Sequence, residues 1–175
     1  KMGFKMFRLS ISWSRIYPTG EEDKPNQAGL DFYRNVFTEL RNAGIEPLVS
    51  IWHFDTPLAL EEKYGDWLDR KYIALYEKYV TTIFNEYKGL VKYWLTFNEI
   101  NIPLLNEDGL GMLYGLGIID PDDLHADHKI PLNGLKWNWQ TAMQALHHEF
   151  IASAKVVIEG HKINPDFMIG NMIAH

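Results

Sequence analysis

The sequence contains no cysteine. That excludes disulfide frameworks and thiolate metal sites. It has no apolar run near the roughly 20 residues that a bilayer-spanning helix needs, so no membrane association is expected. It also lacks an excess of positive charge: 17 Lys and Arg stand against 23 Asp and Glu, a formal net charge of −6. A nucleic-acid partner is therefore not expected. No Gly-x-Gly-x-x-Gly or phosphate-loop sequence follows any strand-like stretch, which argues against a nucleotide-binding doubly wound sheet. The opening Lys1-Met2-Gly3-Phe4 is not a signal peptide and reads as a start in the middle of something. A cysteine-free chain of this kind is expected in the cytoplasm.

What is present is apolar and aromatic. The 175 residues are 46% hydrophobic, enough for one ordinary core, and 14% aromatic. Aromatic faces fill cores, and they also line sugar sites, where flat rings meet C–H groups.

Short apolar stretches alternate with long amphipathic ones. Strands are expected at Met6 to Trp13, Ile45 to Trp52, Val91 to Phe97 and Asp166 to Ile173. Helices are expected at Asn26 to Ala43, with Gly44 as its stop, at Asp69 to Tyr87, and at Asn138 to Glu159, stopped by Gly160. Apolar faces support them: Leu30, Tyr33, Val36, Phe37 and Leu40 on the first, Ile73, Tyr76, Val80, Ile83 and Phe84 on the second. Long crossovers between strands imply parallel pairing. Residues 100 to 137 form the longest loop, rich in glycine and proline. The expected fold is α/β. Four strands are too few for a (β/α)8 barrel, which has eight and about 250 residues. The alternatives are a small open sheet or part of a larger barrel. Either leaves two exposed outer strands, through which copies could self-associate.

Polar residues gather at the strand ends: Arg8 in the first, Trp52-His53-Phe54-Asp55-Thr56-Pro57 after the second, Asn98-Glu99 after the third. In a parallel barrel those ends share one rim, where chemistry is carried. Each residue also has a plainer reading. Glu99 could start a helix, Asn98 could cap or turn the chain, His53 could be a core histidine, and Arg8 needs some acid partner. Asp55, before Thr56-Pro57, is expected to be a turn residue. His125-Ala-Asp-His128 lacks a third strong ligand nearby. His147-His148-Glu149 lacks the second histidine of a zinc helix, because position 152 is Ala152. No metal and no cofactor are expected. One of these histidines could instead face the strand-end rim. The tyrosines Tyr72, Tyr76, Tyr79 and Tyr87 with Phe84 read as core packing.

Three ordered motifs, Phe-Arg-Leu-Ser-Ile-Ser-Trp-Ser-Arg (7–15), Trp-His-Phe-Asp-Thr-Pro (52–57) and Trp-Leu-Thr-Phe-Asn-Glu (94–99), resemble family 1 of the glycoside hydrolases, the β-glucosidase family. The resemblance implies a partial (β/α)8 TIM barrel, about strands 2 to 5, with residues 1–175 as one partial catalytic domain. It implies that Glu99 is the general acid/base, that Asn98 contacts the sugar 2-hydroxyl, and that His53 binds a glycone hydroxyl. Arg8 would lie against the nucleophile. Phe54 stands where many members have tryptophan, so an indole donor near the 3-hydroxyl is missing. The segment from His147 to Met172 is similar to the 6-phospho-β-glucosidase branch, which implies a 6-phospho-β-glucoside as small-molecule partner; a member acting on unphosphorylated β-glucosides or β-galactosides is the alternative. The family's nucleophile sits in a Thr-Glu-Asn-Gly type motif, which does not occur in these residues. The chain by itself is thus expected to be inactive, a fragment carrying the acid/base half of a site. A non-catalytic half-barrel or sugar-binding module is the reading from another class.

One structural demand follows. Side chains of a strand alternate faces, so adjacent Asn98 and Glu99 serve one pocket only if the strand ends or bulges there.

Overall fold

A computed structural model describes residues 3–104, 116 and 138–174. Four strands, β1 (Met6–Ser10), β2 (Glu46–Trp52), β3 (Tyr93–Phe97) and β4 (Met168–Gly170), form one sheet in the order β1-β2-β3-β4. Every neighbouring pair is parallel. The connections carry the helices α1 (Trp13–Ile16) and α2 (Gln27–Asn42) after β1, α3 (Leu58–Tyr64) and α4 (Lys71–Tyr87) after β2, and α5 (Trp139–Ile163) after β3. Parallel strands in sequential order, each crossover helical, make the strand–helix arc that the sequence implies.

The helices form where their apolar spacing places them. α2 buries Leu30, Tyr33 and Phe37, at i, i+3 and i+7. It ends on Gly44 at φ 71°, with Ile45 N donating to Leu40 O at 2.9 Å and Gly44 N to Arg41 O at 3.0 Å. That pairing closes the last turn, and the left-handed residue it needs is a glycine. α5 starts where Asn138 Oδ1 accepts from Thr141 N at 3.1 Å. α4 buries four tyrosines, Tyr72, Tyr76, Tyr79 and Tyr87, with Phe84, as the core reading expected. Three of their hydroxyls meet backbone carbonyls. Tyr76 donates to Thr96 O at 2.5 Å, Tyr87 to Leu30 O at 2.9 Å, and Tyr79 contacts both Ile11 O at 3.1 Å and Ile51 O at 2.9 Å. A buried hydroxyl needs such a partner, and here each one ties a helix to another element. Trp13, Trp52, Trp67 and Phe97 complete an aromatic core between α4 and the strand ends, while Trp94, near the start of β3, packs on Phe84 and Phe167.

Several expected boundaries move. The first strand was expected to reach Trp13, but it ends at Ser10, and Trp13 opens α1. The cause is two side-chain acceptors that replace strand pairing: Tyr33 Oη takes Ser12 N at 2.8 Å, and Asp55 Oδ2 takes Trp13 N at 3.2 Å. The Trp13 indole then stacks on Tyr79 at 5.3 Å between centroids. Gly160 does not stop its helix; α5 continues to Ile163. Gly160 is there for space, because a Cβ would lie 2.5 Å from Ile169 Cδ1 and 2.8 Å from Phe84 Cε2. The last strand is three residues, Met168–Gly170, shorter than the expected Asp166 to Ile173. The chain still reaches β3 beyond it, through Met172 N to Phe97 O at 3.1 Å. Helix α3 and the 3-10 turn Asp66–Leu68 had no counterpart in the sequence reading. Within the long loop, Ile102–Leu104 is a 3-10 turn. The His125 and His128 pair lies outside the described residues.

Candidate active site at the strand ends

β1, β2 and β3 bring one residue each to a common point. Arg8 pairs with Leu48 in register, so its side chain shares a face with Ser50, two residues further along β2. Arg8 Nε donates to Ser50 Oγ at 3.0 Å, and Arg8 Nη2 donates to Asn98 Oδ1 at 2.5 Å. Ser50 is fully buried and Asn98 nearly so. The guanidinium is therefore held at two points by neutral acceptors and keeps its whole charge for a third partner.

Regular alternation fails just before the place the sequence demanded, between Thr96 and Phe97 rather than at Asn98-Glu99. Thr96 meets Ser153 of α5, Oγ1 to Oγ at 2.8 Å, and the next ring, Phe97, stacks on Tyr76 of α4 at 4.9 Å. Two successive side chains thus face helices. Asn98 then turns inward to Arg8, while its backbone N still donates to Trp52 O at 3.0 Å. Glu99 follows at φ 45°, in the left-handed region. For a residue with a Cβ that conformation costs about 1–2 kcal/mol. Backbone strain of this kind collects at functional sites, where the surroundings hold it. The turn after Glu99 is held by Ile102 N to Glu99 O at 2.8 Å and Ile100 N to Met172 O at 3.2 Å. Asn101 locks to Ala174 through a reciprocal pair at 2.9 and 2.8 Å.

His53 and Phe54 lie at the end of β2. Phe54 also has positive φ, 60°, and its ring meets Trp52 and His53 edge-on, both at 5.4 Å. The His53 imidazole is held below its ordinary pKa, first by partial burial and then by the Arg8 charge, while Glu99 pulls it the other way. His53 is therefore within electrostatic reach of both Arg8 and Glu99. Of the five residues singled out in the sequence, Arg8 is hydrogen-bonded to Asn98, Phe54 packs on His53, and Glu99 follows Asn98 in the chain.

Asp55 does more than turn the chain. Its Oδ1 accepts from His53 N at 3.1 Å and its Oδ2 from Trp13 N. One carboxylate thus ties the β2 end to the start of α1. Burial pushes its pKa up to about 6, against the pull of those N–H groups. Ser50 was missed in the sequence. The available signal was one hydroxyl inside the apolar run Leu48-Val49-Ser50-Ile51-Trp52. Its meaning appears only with the register to β1.

His148 of α5 belongs elsewhere. His148 Nδ1 donates to Trp67 O at 2.9 Å, and its Nε2 accepts from Gln144 Nε2 at 2.9 Å. Nδ1 pins α5 to the 3-10 turn and Nε2 is engaged within α5, so both nitrogens of His148 are occupied away from the rim. Among the described residues no three His, Cys, Asp or Glu side chains form a metal-binding group.

A parallel strand–helix arc with its polar cluster at the strand C-terminal ends defines the class: part of a (β/α)8 barrel of the enzyme type. The particular family follows from comparison. The chain belongs to glycosyl hydrolase family 1, whose model matches residues 1–175. Curated relatives include a 6-phospho-beta-glucosidase of Clostridium longisporum, 48% identical over 99% of this chain and 33% of that protein. The aryl-phospho-beta-D-glucosidase BglH of Bacillus subtilis is 46% identical over 99% of this chain and 34% of that protein. Among solved structures, the beta-glucosidase from Thermotoga maritima in complex with deoxynojirimycin superposes with a TM-score of 0.76, at 32% identity, over 98% of this chain and 34% of that one. The chain thus spans about a third of the length of the relatives it matches.

Proposed function

We propose that residues 1–175 are part of the catalytic domain of a retaining β-glycosidase acting on 6-phospho-β-glucosides, and that they supply its acid/base half. The observation that carries this reading is the junction of Arg8, Ser50 and Asn98 at the strand ends, with Glu99 next in the chain. The similarity to enzymes named for phospho-β-glucosides supports the substrate class. A phosphorylated sugar as substrate points to the cytoplasm.

In this mechanism two carboxyl groups stand about 5–5.5 Å apart across the glycosidic bond. Glu99 donates a proton to the leaving oxygen. A second carboxylate, from outside these residues, attacks the anomeric carbon. Once the glycosyl-enzyme has formed, Glu99, having given up its proton, takes one from the incoming water. Arg8 holds the attacking carboxylate ionised and aimed. Asn98 donates from Nδ2 to the 2-hydroxyl as the oxocarbenium-like state develops, because its Oδ1 is already engaged by Arg8. His53 binds a glycone hydroxyl, and Phe54 offers an apolar edge. Without the second carboxylate, the chain alone turns nothing over.

The test uses the protein that carries this chain. Glu99→Gln should abolish turnover of a poorly activated glucoside and spare more of the rate on an activated aryl glucoside, whose leaving group needs little protonation. Full activity of Glu99→Gln on the poor substrate removes the acid/base assignment. The similarity to a beta-glucosidase favours a second reading, hydrolysis of unphosphorylated β-glucosides. Rates on an aryl β-glucoside with and without a 6-phosphate separate the two.

A further inference from the structure

We infer that Ser50 is a positioning residue, which sets the orientation of the Arg8 guanidinium and thereby its reach to the attacking carboxylate. The inference rests on the role given to Arg8 above. A guanidinium is planar and presents its donors along fixed edges. Nε and Nη2 share one edge, and both are engaged: Nε by Ser50 Oγ at 3.0 Å, Nη2 by Asn98 Oδ1 at 2.5 Å. Two bonds on one edge fix the plane of the group, where a single bond would leave it free to swing. The remaining edge, with Nη1, is then directed as a unit, and a carboxylate meeting it can make a two-point contact.

Ser50 can do this because it cannot move away. It is fully buried in β2, paired to Ser10 on one side and Leu95 on the other. The shared face with Arg8 comes from the register Arg8 to Leu48. A neutral hydroxyl also suits the task better than an acid would. A carboxylate at this point would neutralise Arg8 and spend the charge that the nucleophile needs. The serine aims the cation without discharging it.

The experiment is a double-mutant cycle in the full protein carrying this chain, with kcat and KM measured for Ser50→Ala, Arg8→Lys and the pair. Ser50→Ala should lower kcat roughly tenfold to a hundredfold, the range for losing a hydrogen bond to a charged group, with KM and the melting temperature little changed. In the Arg8→Lys background, which has no Nε to position, Ser50→Ala should cost no more than about twofold. Wild-type kcat in Ser50→Ala overturns the inference, and so does an equal loss in both backgrounds; either leaves the Arg8 reading standing. Full kcat in Arg8→Lys removes the Arg8 reading and the inference with it.

Discussion

Arg8 and Asn98, ninety residues apart in the chain, are joined by a 2.5 Å hydrogen bond from Nη2 to Oδ1. The bond crosses from β1 to the end of β3 and passes beside Ser50 of β2. Its acceptor is a neutral amide, which matters for the charge balance of the site. Asn98→Asp would place a carboxylate against the guanidinium and draw it into an ion pair. Turnover of the full protein should fall about tenfold or more, while the melting temperature holds. Steady-state kinetics with a thermal melt measures both; undiminished kcat would mean that the Arg8 charge is not used in the reaction.

The left-handed backbone at Glu99 gives a stability test separate from chemistry. Glycine adopts φ 45° without the Cβ penalty that alanine retains. Glu99→Gly should therefore be more stable than Glu99→Ala by about 1 kcal/mol, the reverse of their usual order. Denaturant midpoints of the two variants decide it.

Tyr79 places one hydroxyl between Ile11 O and Ile51 O, just beyond β1 and within β2. Tyr79→Phe removes a buried donor and leaves these carbonyls short of a partner. The expected loss is about 1–3 kcal/mol, read by urea unfolding. Because the two carbonyls flank the rim, kcat should fall along with stability.

Asp55 makes the fold pH-sensitive. Its pKa, pushed up to about 6 from a model-peptide value of 3.8, means the folded state holds the proton more tightly than the unfolded chain does. Its stabilising contribution is full below pH 3.8 and is lost as pH rises through 6, a change of about 3 kcal/mol. Asp55→Asn removes this titration, so the melting temperature of the variant should vary less between pH 4 and 7.

Much of the fold was legible because its signals are local. The apolar spacing of α2 and α4, the Gly44 stop and the Asn138 cap each depend on residues within a turn or two of one another. Boundaries failed where a distant partner decided them. Ser12 and Trp13 left the strand because Tyr33 and Asp55 took their N–H groups. Gly160 serves packing and not a stop, because Phe84 and Ile169 leave no room for a Cβ there. Helix α3 is only seven residues with a single buried side chain, Leu60, too little periodicity to read.

By itself the sequence determined the order of strands and helices, their parallel connection and the residues that gather at strand ends. Those follow from periodicity and from the length of each crossover. Only the tertiary structure decided that Ser50 belongs with Arg8 and Asn98, that Asp55 clasps two rim segments, and that Asn98 turns inward while Glu99 takes a left-handed turn. Such facts depend on register between strands, and register is a property of packed side chains across β1, β2 and β3, which no local run of residues specifies.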